Sequence, residues 1–294
     1  SNLFQGDSVQ TGYKGTLGFG KVNGNWRWSV FESFMTNQYD INDLGFQQRN
    51  NQVQHYGELV YLTTQPTPKY NKYSHTFYYN HNSLFAPFRF EEFVLGYNGF
   101  YLLRSFFAYG ATVNLTPVQA YDYFEPREAG RWFKEPRELY LDAFISSDYR
   151  KTLAIDAAGY ASFWDDLGKR VWQMRVKPRI RLGDHFFSVL TFRANQVLNG
   201  YGFVPDNDPN NIFFGRRNTF TIENAIDAQY VFTPKSSLSL AVRHTYTDVD
   251  YNQFYLLNQD GSLTENTLTG VQDLNFNAFN VDFKYSWWFA PGSE

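Results

Sequence analysis

The feature that most constrains this sequence is an unbroken alternation of side-chain character from Trp172 to Leu182, read WQMRVKPRIRL. Even positions are apolar, and the odd positions between them are polar or basic. Successive side chains of a strand point to opposite faces, so this period of two predicts an extended strand. Gly183-Asp184 predicts a tight turn and 185–195 a returning strand. Because unpaired charges cannot be buried dry, the basic face must stay hydrated or paired, and the apolar face covers either a soluble core or lipid.

The same alternation recurs along the whole chain and predicts about 13 strands in all. The predicted strands lie at 13–22, 25–35, 53–63, 73–81, 93–103, 107–115, 139–147, 151–163, 171–182, 185–195, 217–232 and 236–247, with a last strand that ends near residue 289. Many of them reach about 10 residues, the length that a tilted strand needs to cross a bilayer.

The connections between these strands alternate in length. Short turns are predicted at 23–24, 104–105, 148–150, 183–184 and 233–235, and long loops at 36–51, 116–137, 197–215 and 248–274. Short turns on one side and long loops on the other are typical of outer-membrane barrels.

The composition favours a membrane barrel over a soluble β-sandwich. Aromatic residues make up 20% of the chain, which suits the aromatic girdles of a membrane barrel, yet the mean hydropathy is −0.48. No window approaches the roughly 18 apolar residues of a spanning helix, so a membrane protein with this hydropathy must cross with strands. The polar faces carry Gly, Asn, Ser and Thr rather than the Lys and Glu of a hydrated sheet.

We therefore predict an all-β fold, an antiparallel transmembrane β-barrel in the cell outer membrane. Residues 1–294 are expected to be a single-domain segment of that barrel, truncated at both ends. Bacterial single-chain barrels have even strand numbers, so the full protein is expected to have 14 strands or more.

A basic row on the strand at 171–182 has two interpretations. It could attract an anionic solute, or it could be neutralised by inward acids, which is the interpretation that we favour because enclosed charges are normally paired. In both cases the predicted lumen-lining residues are Arg175, Lys177, Arg179, Arg181, Arg193, Glu223 and Asp227.

The loop sequence DYFEPREAGRWF at 122–133 mixes aromatic and charged residues. Such a loop can stack on a sugar or grip a partner, because functional residues concentrate on loops carried by rigid scaffolds. The alternative is a loop that folds into the barrel mouth, with Arg–Glu pairs that close the lumen. The predicted recognition residues are Tyr123, Phe124, Glu125, Arg127, Arg131 and Trp132.

Motifs of enzymes and metal sites are not found in this sequence. The five histidines have no HExxH spacing, no serine lies in a GxSxG turn, and cysteine is absent. We predict no catalytic residue, no metal and no cofactor. The net charge of −3 does not suggest a nucleic-acid partner.

Five segments together resemble a domain-of-unknown-function family found in Bacteroidota. They are NDLGF at 42–46, DYFEPR at 122–127, SSDYRK at 146–151, FGRRN at 214–218 and NFNAFN at 275–280, and the resemblance runs from about residue 11 to the end. In that family a family-9-like carbohydrate-binding module precedes a large outer-membrane barrel. The resemblance implies such a module and further strands before Ser1 and at least one strand after Glu294, but no established activity.

The function that we expect is non-enzymatic: a membrane-embedded scaffold or plugged channel, linked to glycan handling or to an envelope protein complex. Its expected partners are the lipid bilayer of the outer membrane, other envelope proteins and glycans. One alternative is an open porin-like channel with an anion bias, and another is an outer-membrane hydrolase assembled from different strands.

Overall fold

The computed structural model describes residues 11–42, 46–47, 49–206, 211–268 and 273–289, and these residues form strands, turns and loops without a helix. The strands are β1 (Lys14–Lys21), β2 (Trp26–Met35), β3 (Gln52–Leu62), β4 (Tyr70–Leu84), β5 (Arg89–Leu103), β6 (Ala108–Thr116), β7 (Ala120–Asp122), β8 (Phe133–Glu135), β9 (Glu138–Ser146), β10 (Leu153–Trp164), β11 (Arg170–Leu182), β12 (Phe186–Val204), β13 (Phe213–Thr233), β14 (Ser236–Leu257), β15 (Leu263–Asn266) and β16 (Leu274–Trp287).

Fourteen of these strands form one antiparallel sheet in which sequence neighbours are also spatial neighbours. The short strands β7 and β8 pair separately, within the connection between β6 and β9. β15 pairs antiparallel with the end of β14, and β16 pairs with the rest of β14. The predicted all-β antiparallel architecture is therefore confirmed, and each of the 13 predicted strands has a counterpart in the sheet.

Two predicted loops are wrong in part, because strands continue into them. β12 runs to Val204 and β13 begins at Phe213, although 197–215 reads as a loop. β14 continues to Leu257 and pairs there with β15, inside the predicted loop at 248–274. A bulge between Val197 and Gly200 interrupts the alternation, and a bulge reverses which face later side chains occupy, so the sequence pattern is lost there.

The ends of the sheet differ, and we name them by their connections. The short-turn end carries the turns at 22–25, 104–107, 147–152, 183–185 and 234–235, and the loop end carries the connections at 36–51 and 117–137. The buried hydrophobic cluster lies at the loop end and consists of Phe133, Ile212, Phe214, Tyr255 and Leu257.

A row of residues paired from strand to strand across the sheet, which we call a rung, lies progressively farther from the short turns between β2 and β14. Trp28 of β2 comes four residues after Gly24, and its rung passes through Trp172 of β11. The same rung reaches Asp248 of β14, thirteen residues after Lys235. A stagger of this kind means that the strands are tilted relative to the line of turns.

Among the described residues, no helix has the length and apolar character required to cross a membrane.

Candidate functional site

The two faces of the sheet differ in chemistry and in exposure. On β11, Trp172 and Met174 of the apolar face are 40% and 54% exposed, whereas Gln173 and Arg175, which follow them on the polar face, are half-buried. The apolar face continues across the sheet with exposed side chains at Leu17, Trp28, Leu59, Phe77, Leu95, Val113, Leu141, Ile155, Ile226 and Phe283. A sheet folded for water shows the reverse, with its apolar face enclosed.

Aromatic rings line the apolar face near the short-turn end. Trp26 lies 4.9 Å from Tyr61 between ring centroids, and Tyr61 lies 6.1 Å from Tyr73. The series continues from Tyr73 to Tyr101 at 6.3 Å and from Tyr101 to Tyr109 at 4.9 Å. These five rings, which we call the tyrosine belt, cross five neighbouring strands near the ends of those strands.

The basic row of β11 lies on the polar face and meets acids there. Arg179 Nε donates to Asp156 Oδ2 on β10 at 3.0 Å. Lys177 is the rung partner of Asp156, and Arg175 is the rung partner of Arg193 on β12. One base of the row is therefore paired directly with an acid of the neighbouring strand.

The remaining predicted lining residues divide into paired and exposed positions. Arg193 Nη1 lies 2.8 Å from Glu223 Oε2 on β13, which forms a second ion pair on this face. Arg181 is exposed at the end of β11, with its guanidinium 5.8 Å from the ring of Phe187. Asp227 is exposed on β13. Arg179 and Arg193 thus have the acidic partners that neutralisation requires, and the role of all seven residues in lining a lumen stays a prediction.

The first half of the 117–137 loop is attached to strands on both sides of it. The Tyr123 hydroxyl donates to the backbone oxygen of Phe90 at the start of β5, at 3.0 Å. Glu125 Oε1 accepts a hydrogen bond of 2.7 Å from the backbone N–H of Phe203 on β12. The Arg127 guanidinium lies 4.8 Å from the ring of Phe203.

Cations from outside the loop also contact its rings, since the Arg49 guanidinium lies 4.2 Å from the ring of Phe124. The second half of the loop is held by backbone groups at the end of β14. Arg131 Nη2 donates to the backbone oxygens of Leu257 and Asn258, at 2.9 and 3.0 Å. Glu125 and Arg131 therefore bind main-chain groups of other segments, and closure of a lumen by this loop stays a prediction.

A charged anchor reinforces this attachment at the turn between β14 and β15. Asp260 accepts a hydrogen bond from the Ser262 hydroxyl at 2.5 Å and lies 2.9 Å from Lys134 Nζ. The hydrogen bond from Ser262, and after it the hydrogen bond from Lys134, are the main reasons why the pKa of the Asp260 carboxyl lies well below its usual range. The carboxylate consequently stays charged, and its ion pair with Lys134 persists, in acid where free aspartate is protonated.

One side chain of the loop, Trp132, contacts two distant parts of the sheet. Its indole N–H donates to the backbone oxygen of Asp260 at 3.2 Å, and the Arg89 guanidinium at the start of β5 lies 5.2 Å from its ring. β5 and β14 are seven places apart in the sheet order, which is roughly 34 Å on a flat sheet. The sheet therefore curves at its loop end, and the 117–137 loop bridges the two sides.

Sequence reasoning missed a cleft beside this loop. It has a volume of about 700 Å³ and is lined by residues that include Lys134, Arg137, Asp165, Tyr201 and Leu263. Arg137 and Asp165 form an ion pair at its edge. The lining comes from four separate segments of the chain, so no local motif could have indicated it.

The described ranges contain no group of three or more His, Asp or Glu side chains placed to hold a metal ion. The polar face carries the ion pairs Arg179–Asp156 and Arg193–Glu223, and the 117–137 loop bridges the two sides of the loop end.

Comparison with known proteins identifies one family. The family model described as Domain of unknown function (DUF5916) matches residues 1–294. No curated protein and no solved structure matches the chain. The match covers all five segments on which the sequence resemblance rests, and the chain belongs to the family described as Domain of unknown function (DUF5916).

Proposed function

We propose that this chain is an outer-membrane β-barrel that acts as a scaffold or plugged channel for envelope proteins or glycans. The observation that carries the proposal is the inverted exposure of the sheet, with apolar side chains such as Met174 and Phe283 on its open face. Burial of apolar area stabilises a fold by about 25 cal/mol per Å², so a face of this kind left in water would forfeit that stabilisation. Hydrocarbon is the solvent in which it is stable.

Two further features support a membrane position. The climbing rungs give the strand tilt that barrels require. The tyrosine belt lies near one end of the strands, where barrels carry rings with polar groups at the membrane–water interface. A soluble sheet has no need for five neighbouring rings at one level of an exposed face.

Closure of the sheet has a directional constraint. Within the described residues β1 and β16 each pair with one neighbour, and both strands run toward the short-turn end. Direct pairing of β1 with β16 would be parallel, whereas antiparallel closure takes an odd number of other strands between them. Backbone groups facing hydrocarbon must be paired, so one of these two arrangements completes the proposed barrel.

The plug is the 117–137 loop. Its Trp132 bridges β5 and the turn after β14, and its Glu125 and Arg131 bind main-chain groups of strands β12 and β14. A loop attached at several points across the curved end of a sheet obstructs passage along the polar face. The location in the outer membrane, and envelope proteins or glycans as partners, are parts of this same proposal.

An open channel with an anion bias is the second candidate, because Arg175 and Lys177 lie on the polar face outside the observed ion pairs. Recording from planar bilayers separates the two functions. We expect no steady current from the wild-type protein, since the loop closes the path. The double variant Arg175→Glu/Arg179→Glu is expected to be equally silent.

Steady wild-type current with a chloride preference that this double variant reverses would instead establish the channel. Arg150→Glu is the matched control, because Arg150 lies in a turn at the short-turn end, paired with Asp148 and away from the polar face. A channel must keep its selectivity in that control.

A further inference from the structure

Aromatic rings on the polar face pack against glycines of the neighbouring strand. A Cβ atom built on Gly96 would stand 2.1 Å from Cζ of Tyr78, and one built on Gly18 would stand 2.3 Å from Cδ1 of Phe31. Each ring therefore occupies the space that a side chain would fill. For Tyr78 the atoms Cζ, Cε2 and Cε1 lie 2.1, 2.3 and 2.6 Å from that position, so one face of its ring covers Gly96.

These rings belong to a longer series that crosses the polar face. Phe31 lies 6.4 Å from Tyr56, and Tyr56 lies 6.1 Å from Tyr78, between ring centroids. Farther along, Tyr140 and Tyr160 lie 5.5 Å apart and stack. We call these five side chains the ring row.

The Tyr78 hydroxyl connects the two parts of the ring row. It donates to Asn114 Oδ1 at 2.5 Å, and Asn114 is the rung partner of Tyr140. The connection passes over Gly96, which stands on the same rung between Tyr78 and Asn114. An aromatic and amide surface consequently extends without a break from β2 to β10.

The members of the ring row lie at about the same distance from the short-turn end of the sheet. Phe31 comes seven residues after Gly24, Tyr78 eight residues after the start of β4 at Tyr70, and Tyr140 six residues before the end of β9 at Ser146. A row at one level meets a ligand lying across the polar face with several rings at once. A ligand that moves along the strands would instead meet all of these rings at one point of its path.

Around Tyr56 and Tyr78 the groups beside the ring row are hydrogen-bond acceptors and amides, whereas the basic row of β11 lies next to its far end at Tyr160. The Tyr56 hydroxyl donates to Glu58 Oε2 at 3.0 Å, and Asn98 donates to Thr112 Oγ1 at 2.9 Å on the same face. Carboxylates disfavour an anionic ligand, and the hydroxyls and amides can exchange hydrogen bonds with a polyhydroxylated ligand. A flat apolar surface with hydrogen-bonding groups at its margin suits a pyranose ring, which has an apolar CH face and a rim of hydroxyls.

We propose that the ring row binds neutral sugar rings of a glycan, with Tyr78 as the central stacking surface. This inference rests on the proposed barrel, in which the polar face lines the interior, and it names the ligand class that the scaffold would hold.

The test uses the full chain refolded in a sugar-free detergent, with isothermal titration of five hexasaccharides: maltohexaose, cellohexaose, xylohexaose, mannohexaose and chitohexaose. We expect binding of at least one of them. Tyr78→Ala should weaken that binding roughly tenfold or more, because a central ring in a recognition surface contributes about that much. Tyr78→Phe keeps the ring and should stay within about threefold of wild type, since it loses one hydrogen bond.

Tyr79→Ala is the matched control. Tyr79 is the next residue of β4, its ring lies over Gly57 in the same way, and it stands on the apolar face. Its loss should leave affinity for the hexasaccharide unchanged. Binding of none of the five probes, or equal weakening by Tyr78→Ala and Tyr79→Ala, would overturn the inference.

Insertion into lipid vesicles is measured on the same preparations, which separates the two proposals. Protein that inserts but binds no probe refutes the glycan site and leaves the barrel intact. Protein that stays in the aqueous phase refutes the barrel itself.

Discussion

Met174→Arg is expected to lower the free energy of unfolding from a lipid bilayer by about 2–4 kcal/mol, the range for a charge at the midplane of a barrel's lipid face. Met174 stands near the middle of β11 and is 54% exposed on the apolar face. The proposed barrel places it in hydrocarbon, where an arginine has no water and no acidic partner. Denaturant titration of the protein refolded in phosphatidylcholine vesicles measures the change.

Gln173→Arg is the control for that measurement. It introduces the same charge one residue away, on the polar face, and should change the free energy of unfolding by less than about 1 kcal/mol. A soluble sheet makes the opposite prediction for Met174, because a water-exposed arginine costs almost nothing there. Equal and small effects of the two substitutions would therefore contradict the lipid-facing assignment.

Replacement of residues 120–135 by a glycine–serine segment of equal length should open a steady conductance in planar bilayers. The replacement removes Trp132, Arg131 and Glu125, and with them the contacts of the loop with β5, β12 and β14. It also removes the ring of Phe133, 4.9 Å from Phe214, so the loop end should become less stable while the long strands keep their pairing. We expect the wild-type protein to remain silent under the same voltage.

A second replacement controls for flexible sequence as such. Glycine and serine at 104–107, in a turn at the short-turn end, should leave the bilayer recording silent. The plug would be refuted if the 120–135 variant inserted correctly and still carried no current.

Much of the sheet could be predicted because the long strands keep an uninterrupted period of two. In β11 each face is chemically uniform from Trp172 to Leu182, so the placement of Met174 and Arg175 on opposite faces follows from the alternation. The family assignment was also within reach, since the matching segments are spread along the whole chain.

The loop end could not be predicted, because its order comes from contacts between segments more than a hundred residues apart. Arg131 donates to the carbonyl of Leu257, and nothing local to either residue indicates the other. The bulge between Val197 and Gly200 removes the alternation that would have extended β12.

The ring row was missed for a different reason. A tyrosine in an alternating strand fits either face, and Tyr78 and Tyr79 are adjacent. Their assignment to opposite faces depends on register, and the flat orientation of Tyr78 depends on Gly96 of the next strand. Pairs of glycine and aromatic residues on neighbouring strands are the signal that could have indicated it.

The central claim is that hydrocarbon covers the apolar face, and spin-label accessibility along β11 tests it most directly. The chain lacks cysteine, so single cysteines at positions 172 to 177 can each carry a nitroxide in vesicle-reconstituted protein. We expect collision with oxygen, which concentrates in lipid, at 172, 174 and 176, and weaker collision at 173, 175 and 177. Even positions that collide more with a water-soluble nickel chelate than with oxygen would contradict the account.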